Sequence, residues 1–200
     1  TWRGTAERYG FREYDGPPIE ELALYTKKSG DEIVGQLYNF ADKGDRNVSL
    51  RPEMTPTLAR MAAAHTRNYK KPIKWFSIPQ LFRYERQQKG RLREHFQLNA
   101  DILGEENLAA DAELIALLID TLRDLKLSSD DFVIRLSSRR AWQEFYEKAG
   151  GKDDCAYDFY QIVDKLDRED PTASGEKLAK LGFSYEQVND FIESGEPTTE

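Results

Sequence analysis

Residues 82–101 read FRYERQQKGRLREHFQLNAD, and their pattern predicts the second half of a β-hairpin with a basic connection. The preceding residues, Trp75 to Phe82, are mostly apolar and predict a buried strand. A basic loop over 86–90 ends at Gly90, and residues 91–101 predict the returning strand. Two strands joined by a positively charged loop are therefore expected in the middle of the chain.

Polar side chains occupy every second position of the predicted returning strand. Because side chains alternate between the two faces of a strand, each face can be read from the sequence. One face carries Arg91, Arg93, His95, Gln97, Asn99 and Asp101. The other face carries Leu92, Glu94, Phe96, Leu98, Ala100 and Ile102. An unbroken polar row is poor core material, so it predicts the lining of a site for a polar ligand.

Cations cluster where this hairpin turns. Arg83 ends the first strand, and an arginine can hold a phosphate or carboxylate through two parallel hydrogen bonds. Arg86, Lys89 and Arg91 add three positive charges around Gly90, an arrangement that suits a polyphosphate. A solvated hairpin with a basic turn is the alternative, and the polar row favours the binding site.

Local signals elsewhere predict mixed α and β structure. A turn at Asp42–Asp45 predicts a hairpin between 36–40 and 47–50, and Thr55 followed by Pro56 predicts a capped helix start. The remaining expected elements are a helix after Gly104 through Leu125, a strand over Phe132–Leu136, a helix from about Arg139 to Lys148 capped by Ser137-Ser138, and three short helices between Asp153 and Glu200 with breaks near Pro171 and Gly182.

Composition narrows the class of protein. The chain has 200 residues and a net charge of −7, which argues against general nucleic-acid binding. Its single cysteine, Cys155, is typical of a reducing compartment, so we expect a cytoplasmic protein. No apolar run approaches the ~20 residues that span a bilayer, and we expect no membrane partner. His65 and His95 lack the spacing of a zinc site, and no metal site is predicted.

Two segments resemble one enzyme family. Residues 82–93, with Gln97, Asp101 and Gly104, resemble motif 2 of class II aminoacyl-tRNA synthetases in the form found in histidyl-tRNA synthetases. Residues 50–55, LRPEMT, resemble the histidine-binding segment of that family.

The resemblance extends over nearly the whole chain. Residues 9–17 resemble motif 1, a dimer-forming helix and strand. The implied fold is of the α+β class, an antiparallel sheet flanked by helices. Residues 1–150 would form the catalytic core, and 151–200 would begin a small helical insertion.

The resemblance also implies an activity and a site. The family activates histidine with ATP, accompanied by Mg²⁺, transfers it to tRNA(His), and acts as a homodimer. Arg83 would be the catalytic cation between the amino-acid carboxylate and the α-phosphate. The implied histidine-binding residues are Glu53, Thr55, Arg83, Gln97 and Asp101. The implied ATP-binding residues are Arg83, Glu85 and Arg91, with either His95 or Phe96 stacking on adenine and Lys89 assisting at the phosphates.

The resemblance lacks some segments of the family, and it leaves two alternative functions open. Motif 3 and the anticodon-binding domain have no counterpart in these 200 residues, so we expect the chain alone not to aminoacylate. The alternative function is that of a synthetase-like, histidine-sensing regulatory subunit of ATP phosphoribosyltransferase. The basic loop around Gly90 favours the enzyme, because a sensor does not need it. A class II synthetase for threonine or proline is a weaker alternative, since Gln97 with Asp101 fits histidine better.

Overall fold

The computed structural model describes residues 1–29, 31–84, 89–166 and 168–194. The chain divides by its internal contacts into two compact units, Thr1–Val133 and Ile134–Glu200.

The first unit combines short strands with helices. In chain order its helices and strands are α1 (Trp2–Arg8), β1 (Arg12–Glu13), β2 (Ile19–Glu21), α2 (Leu22–Ser29), β3 (Asn39–Ala41), β4 (Asn47–Leu50), α3 (Thr55–His65), β5 (Ile73–Ser77), β6 (Gln80–Phe82), β7 (Glu94–Phe96), β8 (Asn99–Leu103) and α4 (Leu108–Asp124). Single 3-10 turns cover Asp31–Gln36 and Thr66–Asn68.

The central sheet has the strand order β1-β5-β8. Strand β1 runs parallel to β5, and β8 runs antiparallel to it. Beneath one face lies a buried cluster in which Phe11, Phe76 and Leu117 meet Ala6 of α1. Since Leu117 belongs to α4, the two helices α1 and α4 cover the same face of this sheet. The expected antiparallel sheet flanked by helices is thereby confirmed, with one parallel pair added.

The predicted central hairpin is present, but each of its strands is divided. Strands β6 and β7 pair antiparallel, and β5 and β8 continue the same register beyond a short interruption. The interruption falls at Ile78–Pro79 on one strand, where proline lacks the N–H that a continuous ladder needs. On the other strand the Gln97 N–H still donates to the Pro79 carbonyl at 3.3 Å. The strand expected over 75–82 is thus two strands.

The predicted alternation of polar and apolar faces holds along β8. Leu98, Ala100 and Ile102 pack against the core of the first unit, as one face of the returning strand should. Asp101 lies on the other face, directly opposite Trp75 of β5. Phe96 and Leu92 are exceptions to apolar burial, because their side chains are 61% and 73% exposed at the outer end of the hairpin.

A second sheet with the order β2-β4-β3 contains the hairpin predicted around Asp42. The Asp42 carboxylate accepts hydrogen bonds from the backbone N–H groups of Gly44 at 2.8 Å and Arg46 at 3.0 Å. Asp45 takes a positive φ of 56°, which aspartate tolerates in a tight turn. The turn chemistry read from the sequence is confirmed.

Two local expectations were wrong. Thr55 is the first residue of α3 rather than its N-cap, a position that Met54 occupies with its side chain completely buried. Phe132–Leu136 forms no strand in the structure. Val133 and Leu136 are 76% and 74% exposed, so this segment lacks the neighbouring strand that its β-forming residues require.

The second unit is helical, as the sequence indicated. Its helices are α5 (Arg139–Lys148), α6 (Ala156–Val163), α7 (Pro171–Lys180) and α8 (Tyr185–Ser194), with a 3-10 turn over Asp153–Cys155. Ser138 caps α5 by accepting a hydrogen bond from the Ala141 N–H at 3.2 Å. Tyr146, Phe159 and Phe183 lead a shared buried cluster, so α5 packs with the later helices. The functional boundary expected near residue 150 stays a prediction.

Within the described ranges, no helix has both the length and the apolar character that crossing a membrane would need.

Candidate functional site

Arg83 lies directly after β6, where the hairpin leaves its regular pairing. Its backbone N–H donates to the Arg93 carbonyl at 2.8 Å, which ties it to the returning strand. Its side-chain Nε donates to the Pro52 carbonyl at 3.0 Å. The guanidinium is therefore held between the hairpin and the segment that joins β4 to α3.

Two cavities meet at this arginine. The smaller, of about 130 Å³, is lined by Ile33, Gln36, Leu37, Pro52, Glu53 and Arg83. The larger, of about 330 Å³, is lined by Arg83, Gly90, Arg91, Leu92 and His95. One cation thus borders both a small compartment with a carboxylate and a larger one with further basic groups.

The small compartment is built by the junction between β4 and α3. Glu53 is half-buried there, between the buried residues Pro52 and Met54. The opposite wall comes from the 3-10 turn that ends at Gln36, whose carbonyl accepts from the Tyr84 N–H at 2.9 Å. A carboxylate beside a guanidinium in a small cavity suits a ligand that carries both an amine and a carboxylate.

The larger cleft places a second arginine and an imidazole near Arg83. Arg91 and His95 both line it, together with Leu92, which the alternation had placed on the other face. Phe96 follows on the opposite face of β7, so His95 is the aromatic residue that faces this cleft. Glu85, expected at the adenine amino group, lies outside the described residues. Two arginines and a ring around an open cleft suit a nucleotide.

Arg93 has a different environment from the other members of the polar row. Its guanidinium carbon lies 4.3 Å from the centre of the Tyr84 ring, a cation–π contact. Tyr38 packs edge-on against the same ring, with 5.2 Å between the ring centres. These contacts hold the loop end of the hairpin against Tyr38, the residue before β3.

Asp101, the expected imidazole anchor, is half-buried on β8. Burial raises the pKa of its carboxyl group above the ordinary aspartate value. Tyr14 lies nearby, and burial together with the Asp101 charge raises the pKa of its phenol to about 12, although the Ser77 hydroxyl opposes the shift. Such a carboxyl group, poorly solvated beside a neutral phenol, gains from a hydrogen-bond donor such as an imidazole N–H.

The expected site residues therefore fall into groups. Arg83 and Glu53 share the small compartment, and Arg83, Arg91 and His95 share the larger cleft. Thr55 is exposed in the first turn of α3, and Gln97 is exposed between β7 and β8. Neither these two nor Asp101 is among the described residues that line the two cavities.

Sequence reasoning missed part of the small compartment. Its far wall is formed by Ile33 and Gln36 of a 3-10 turn and by Leu37 directly after it, in a segment with no distinctive motif. Pro52 was within the LRPEMT segment, but its carbonyl, which receives the Arg83 side chain, cannot be recognised from residue type. Only the packing of the turn against the hairpin brings these groups together.

No group of three or more histidine, cysteine, aspartate or glutamate side chains that could hold a metal ion occurs within the part of the chain that the structure describes.

Comparisons with known proteins converge on one family. A family profile described as Histidyl-tRNA synthetase matches residues 2–187. A histidine–tRNA ligase from Opitutus terrae is 50% identical over 167 residues, which cover 84% of this chain and 38% of the relative. A histidine–tRNA ligase from Haloarcula marismortui is 44% identical over 193 residues, which cover 96% of this chain and 44% of the relative. The chain therefore spans less than half the length of these relatives.

A solved structure shows the same fold. Histidyl-tRNA synthetase from Nostoc sp. PCC 7120 superposes with a TM-score of 0.77 at 22% identity, over 100% of this chain and 44% of that one. An ATP phosphoribosyltransferase regulatory subunit/histidyl-tRNA synthetase from Bacillus halodurans gives the same TM-score of 0.77 at 19% identity, over 96% of this chain and 48% of that one. At such identities the likeness concerns the fold alone.

Proposed function

Because the chain belongs to the histidyl-tRNA synthetase family, we propose that the whole protein activates histidine with ATP and transfers it to tRNA(His). The observation that carries this proposal is the position of Arg83, which borders both the compartment of Glu53 and the cleft of Arg91 and His95. A reaction between an amino acid and a nucleotide needs one group that touches both substrates at the point where they join.

Arg83 is the proposed catalytic residue. Attack of the histidine carboxylate on the α-phosphorus of ATP forms histidyl-adenylate and breaks the bond to the β-phosphate, so that pyrophosphate leaves. This step concentrates negative charge on the oxygens between the two substrates. A guanidinium already held in place stabilises that charge more in the transition state than in the ground state. Its hydrogen bond from Nε to the Pro52 carbonyl holds the guanidinium at the border of the two cavities. The reaction needs no nucleophilic side chain.

Histidine is proposed to bind along the polar side of the hairpin. Glu53, Thr55 and Gln97 would surround its α-amino group, and Asp101 would accept a hydrogen bond from its imidazole. An apolar amino acid of similar size would leave the half-buried Asp101 carboxyl group without a partner, which disfavours it. Asp101 thus supplies the proposed selectivity.

ATP is proposed to occupy the larger cleft. Arg91, assisted by Lys89, would lie along the outer phosphates, and His95 would stack on adenine from the face that it shares with Arg91. Glu85 keeps its proposed contact with the adenine amino group. Mg²⁺ would arrive with the phosphates and retain water ligands, and we assign it no residue of this chain.

The proposal also includes tRNA(His) as a partner, a homodimer formed through the segment around residues 9–17, and a cytoplasmic location. The family resemblance of the N-terminal segment supports the dimer. The single cysteine supports a reducing compartment. The functional division into a core over 1–150 and a helical insertion from 151 is proposed on the same resemblance.

Amino-acid-dependent exchange between ATP and pyrophosphate by the complete protein tests the function. Each of the standard amino acids is supplied in turn, and exchange with histidine alone is expected. Saturable histidine binding without exchange would instead support the histidine-sensing regulatory subunit. Exchange driven by threonine or proline would overturn the assignment of Asp101 as the selectivity residue.

A further inference from the structure

Arg51 is a buried arginine whose side chain is only 5% exposed. It lies between the end of β4 at Leu50 and the start of α3 at Thr55. Removing a guanidinium from water is costly unless its donors are satisfied. The contacts of Arg51 therefore show which parts of the structure this buried guanidinium holds together.

The Arg51 side chain joins three segments that are distant in sequence. Its Nε donates to the Gln80 carbonyl on β6 at 3.0 Å. Its Nη1 donates to the Asp15 carboxylate at 2.8 Å and to the Gly16 carbonyl at 2.7 Å, both in the loop between β1 and β2. The same nitrogen lies 3.8 Å from the Met54 sulfur. One guanidinium thus ties the loop after β1 to β6 and to the start of α3.

The backbone of Arg51 strengthens the same junction. Its N–H donates to the Pro18 carbonyl at 2.9 Å, and its carbonyl accepts from the Phe82 N–H at 2.9 Å. At Gly16 a Cβ atom would lie 2.5 Å from the Thr57 side chain, so only glycine lets this loop approach α3 so closely. Side chain and backbone together fix Arg51 between the loop and the hairpin.

The next residue connects this junction to the proposed catalytic group. The Pro52 carbonyl accepts the hydrogen bond from Arg83 Nε at 3.0 Å, and Pro52, Glu53 and Arg83 line one compartment. The Pro52 carbonyl lies in the next peptide unit, and the proline ring fixes the φ torsion that leads to it. The direction of this carbonyl therefore depends closely on the placement of Arg51. Whatever holds Arg51 therefore also sets the direction of the Arg83 guanidinium.

We propose that Arg51 is a positioning residue for histidine activation, which acts by holding the Pro52 carbonyl and thereby the Arg83 guanidinium. This inference rests on the proposed function. The geometry of the Arg51 fork matters more than its charge. Asp15 is 74% exposed and adds little stability as an ion pair, but its hydrogen bond of 2.8 Å helps to orient Nη1. A lysine cannot reach two carbonyl groups and a carboxylate from one planar group.

The test uses the complete protein and the substitution Arg51→Lys. We expect kcat of histidine-dependent exchange to fall by about 10- to 100-fold, since a displacement of ~1 Å at a reacting group has an effect of this size. Arg60→Lys is the matched control. Arg60 pairs with the buried Glu20 carboxylate at 2.7 Å in the same unit but lines neither cavity, so its substitution should lower Tm and leave kcat unchanged.

A second measurement separates positioning from general stabilisation. If Arg51 acts through Arg83, Arg51→Lys should lower kcat much less in a protein that already carries Arg83→Lys, since coupled residues are not additive. If Arg51→Lys does not fold, Asp15→Ala removes one anchor of the fork. It should lower kcat several-fold alone and have little effect beside Arg83→Lys.

The proposal would be overturned if Arg51→Lys, or Asp15→Ala in its place, lowered kcat by the same factor with and without Arg83→Lys. It would also be overturned if the substitution lowered Tm but left kcat unchanged. Absence of exchange in the unsubstituted protein is a distinct result, which would overturn the proposed function and this inference with it.

Discussion

Replacing Arg83 by alanine removes a side chain that, alone among the residues that the structure describes, borders both cavities of the candidate site. The fold should survive the change. The Arg83 backbone N–H keeps its bond to the Arg93 carbonyl at 2.8 Å, and to the described residues its half-buried side chain donates one hydrogen bond, from Nε to the Pro52 carbonyl. Loss of one such bond lowers the free energy of unfolding by about 1 kcal/mol.

The effect on catalysis should be far larger than the effect on stability. Removing one preorganised donor from a site of developing negative charge typically lowers kcat by about 10²- to 10³-fold, or about 3–4 kcal/mol. Arg83→Lys keeps the charge but loses the planar fork, so an intermediate loss of about 10- to 100-fold is expected. Comparing kcat of the unsubstituted protein, Arg83→Lys and Arg83→Ala then separates the contribution of the positive charge from that of the planar guanidinium.

The assay is histidine-dependent ATP–pyrophosphate exchange by the complete protein, with urea unfolding measured on the same samples. Arg46→Ala is the control, because Arg46 is exposed in the turn between β3 and β4 and pairs with Asp42. Its kcat should match that of the unsubstituted protein. If Arg83→Ala retained kcat within about threefold of that value, electrostatic stabilisation by this residue would be refuted.

Three other outcomes are expected. Asp101→Ala should raise KM for histidine by about 10- to 100-fold and leave KM for ATP nearly unchanged, because one hydrogen bond to a charged group is lost. Equal rises in both constants would contradict the proposed role of Asp101 in histidine binding. Phe159→Ala, at a position with no exposed surface in the helical unit, should destabilise that unit by about 3–5 kcal/mol in urea unfolding followed by circular dichroism. The Thr5 hydroxyl and the Arg8 guanidinium lower the pKa of Asp124 below its ordinary value. The resulting stability is present above the unfolded pKa of about 3.9 and is lost as pH falls toward the lower folded value, so Asp124→Asn should reduce stability at neutral pH but much less near pH 2.

The expectation for Asp124→Asn is tested by measuring the free energy of unfolding from neutral pH down to about pH 2. A stability difference between the unsubstituted protein and Asp124→Asn that stayed constant from neutral pH to about pH 2 would show that the Asp124 charge does not link α1 to α4.

Strong local signals explain why much of the fold could be predicted. The helix after Gly104 was read from leucine spacing and is α4, with Asn107 as its cap. The pair Ser137-Ser138 was predicted to cap α5, and Asp42–Asp45 to form a turn, and both features are present with Ser138 and Asp42 as the hydrogen-bond acceptors. These features depend on hydrogen bonds between residues close in sequence, so residue type alone indicates them.

The predictions that were wrong concern longer-range structure. Phe132–Leu136 has β-forming residues, yet a strand needs a neighbour, and residue type does not supply one. Pro79 divides the strand predicted over 75–82, although the pairing register passes through the break unchanged. At both places the residues favour extended backbone, but whether they form a continuous strand depends on pairing with a neighbouring strand.

The sequence by itself determined the polar and apolar faces of the hairpin, its basic loop, and the family whose histidine- and ATP-binding residues it resembles. It did so because alternation along a strand and short motifs are local properties of the chain. Only the tertiary structure brought Arg83 to the Pro52 carbonyl, closed the small compartment with the turn that ends at Gln36, and revealed Arg51 as the junction behind it. Those contacts join segments about 30 or more residues apart in the chain, and their geometry depends on how sheets, loops and helices pack rather than on any local pattern.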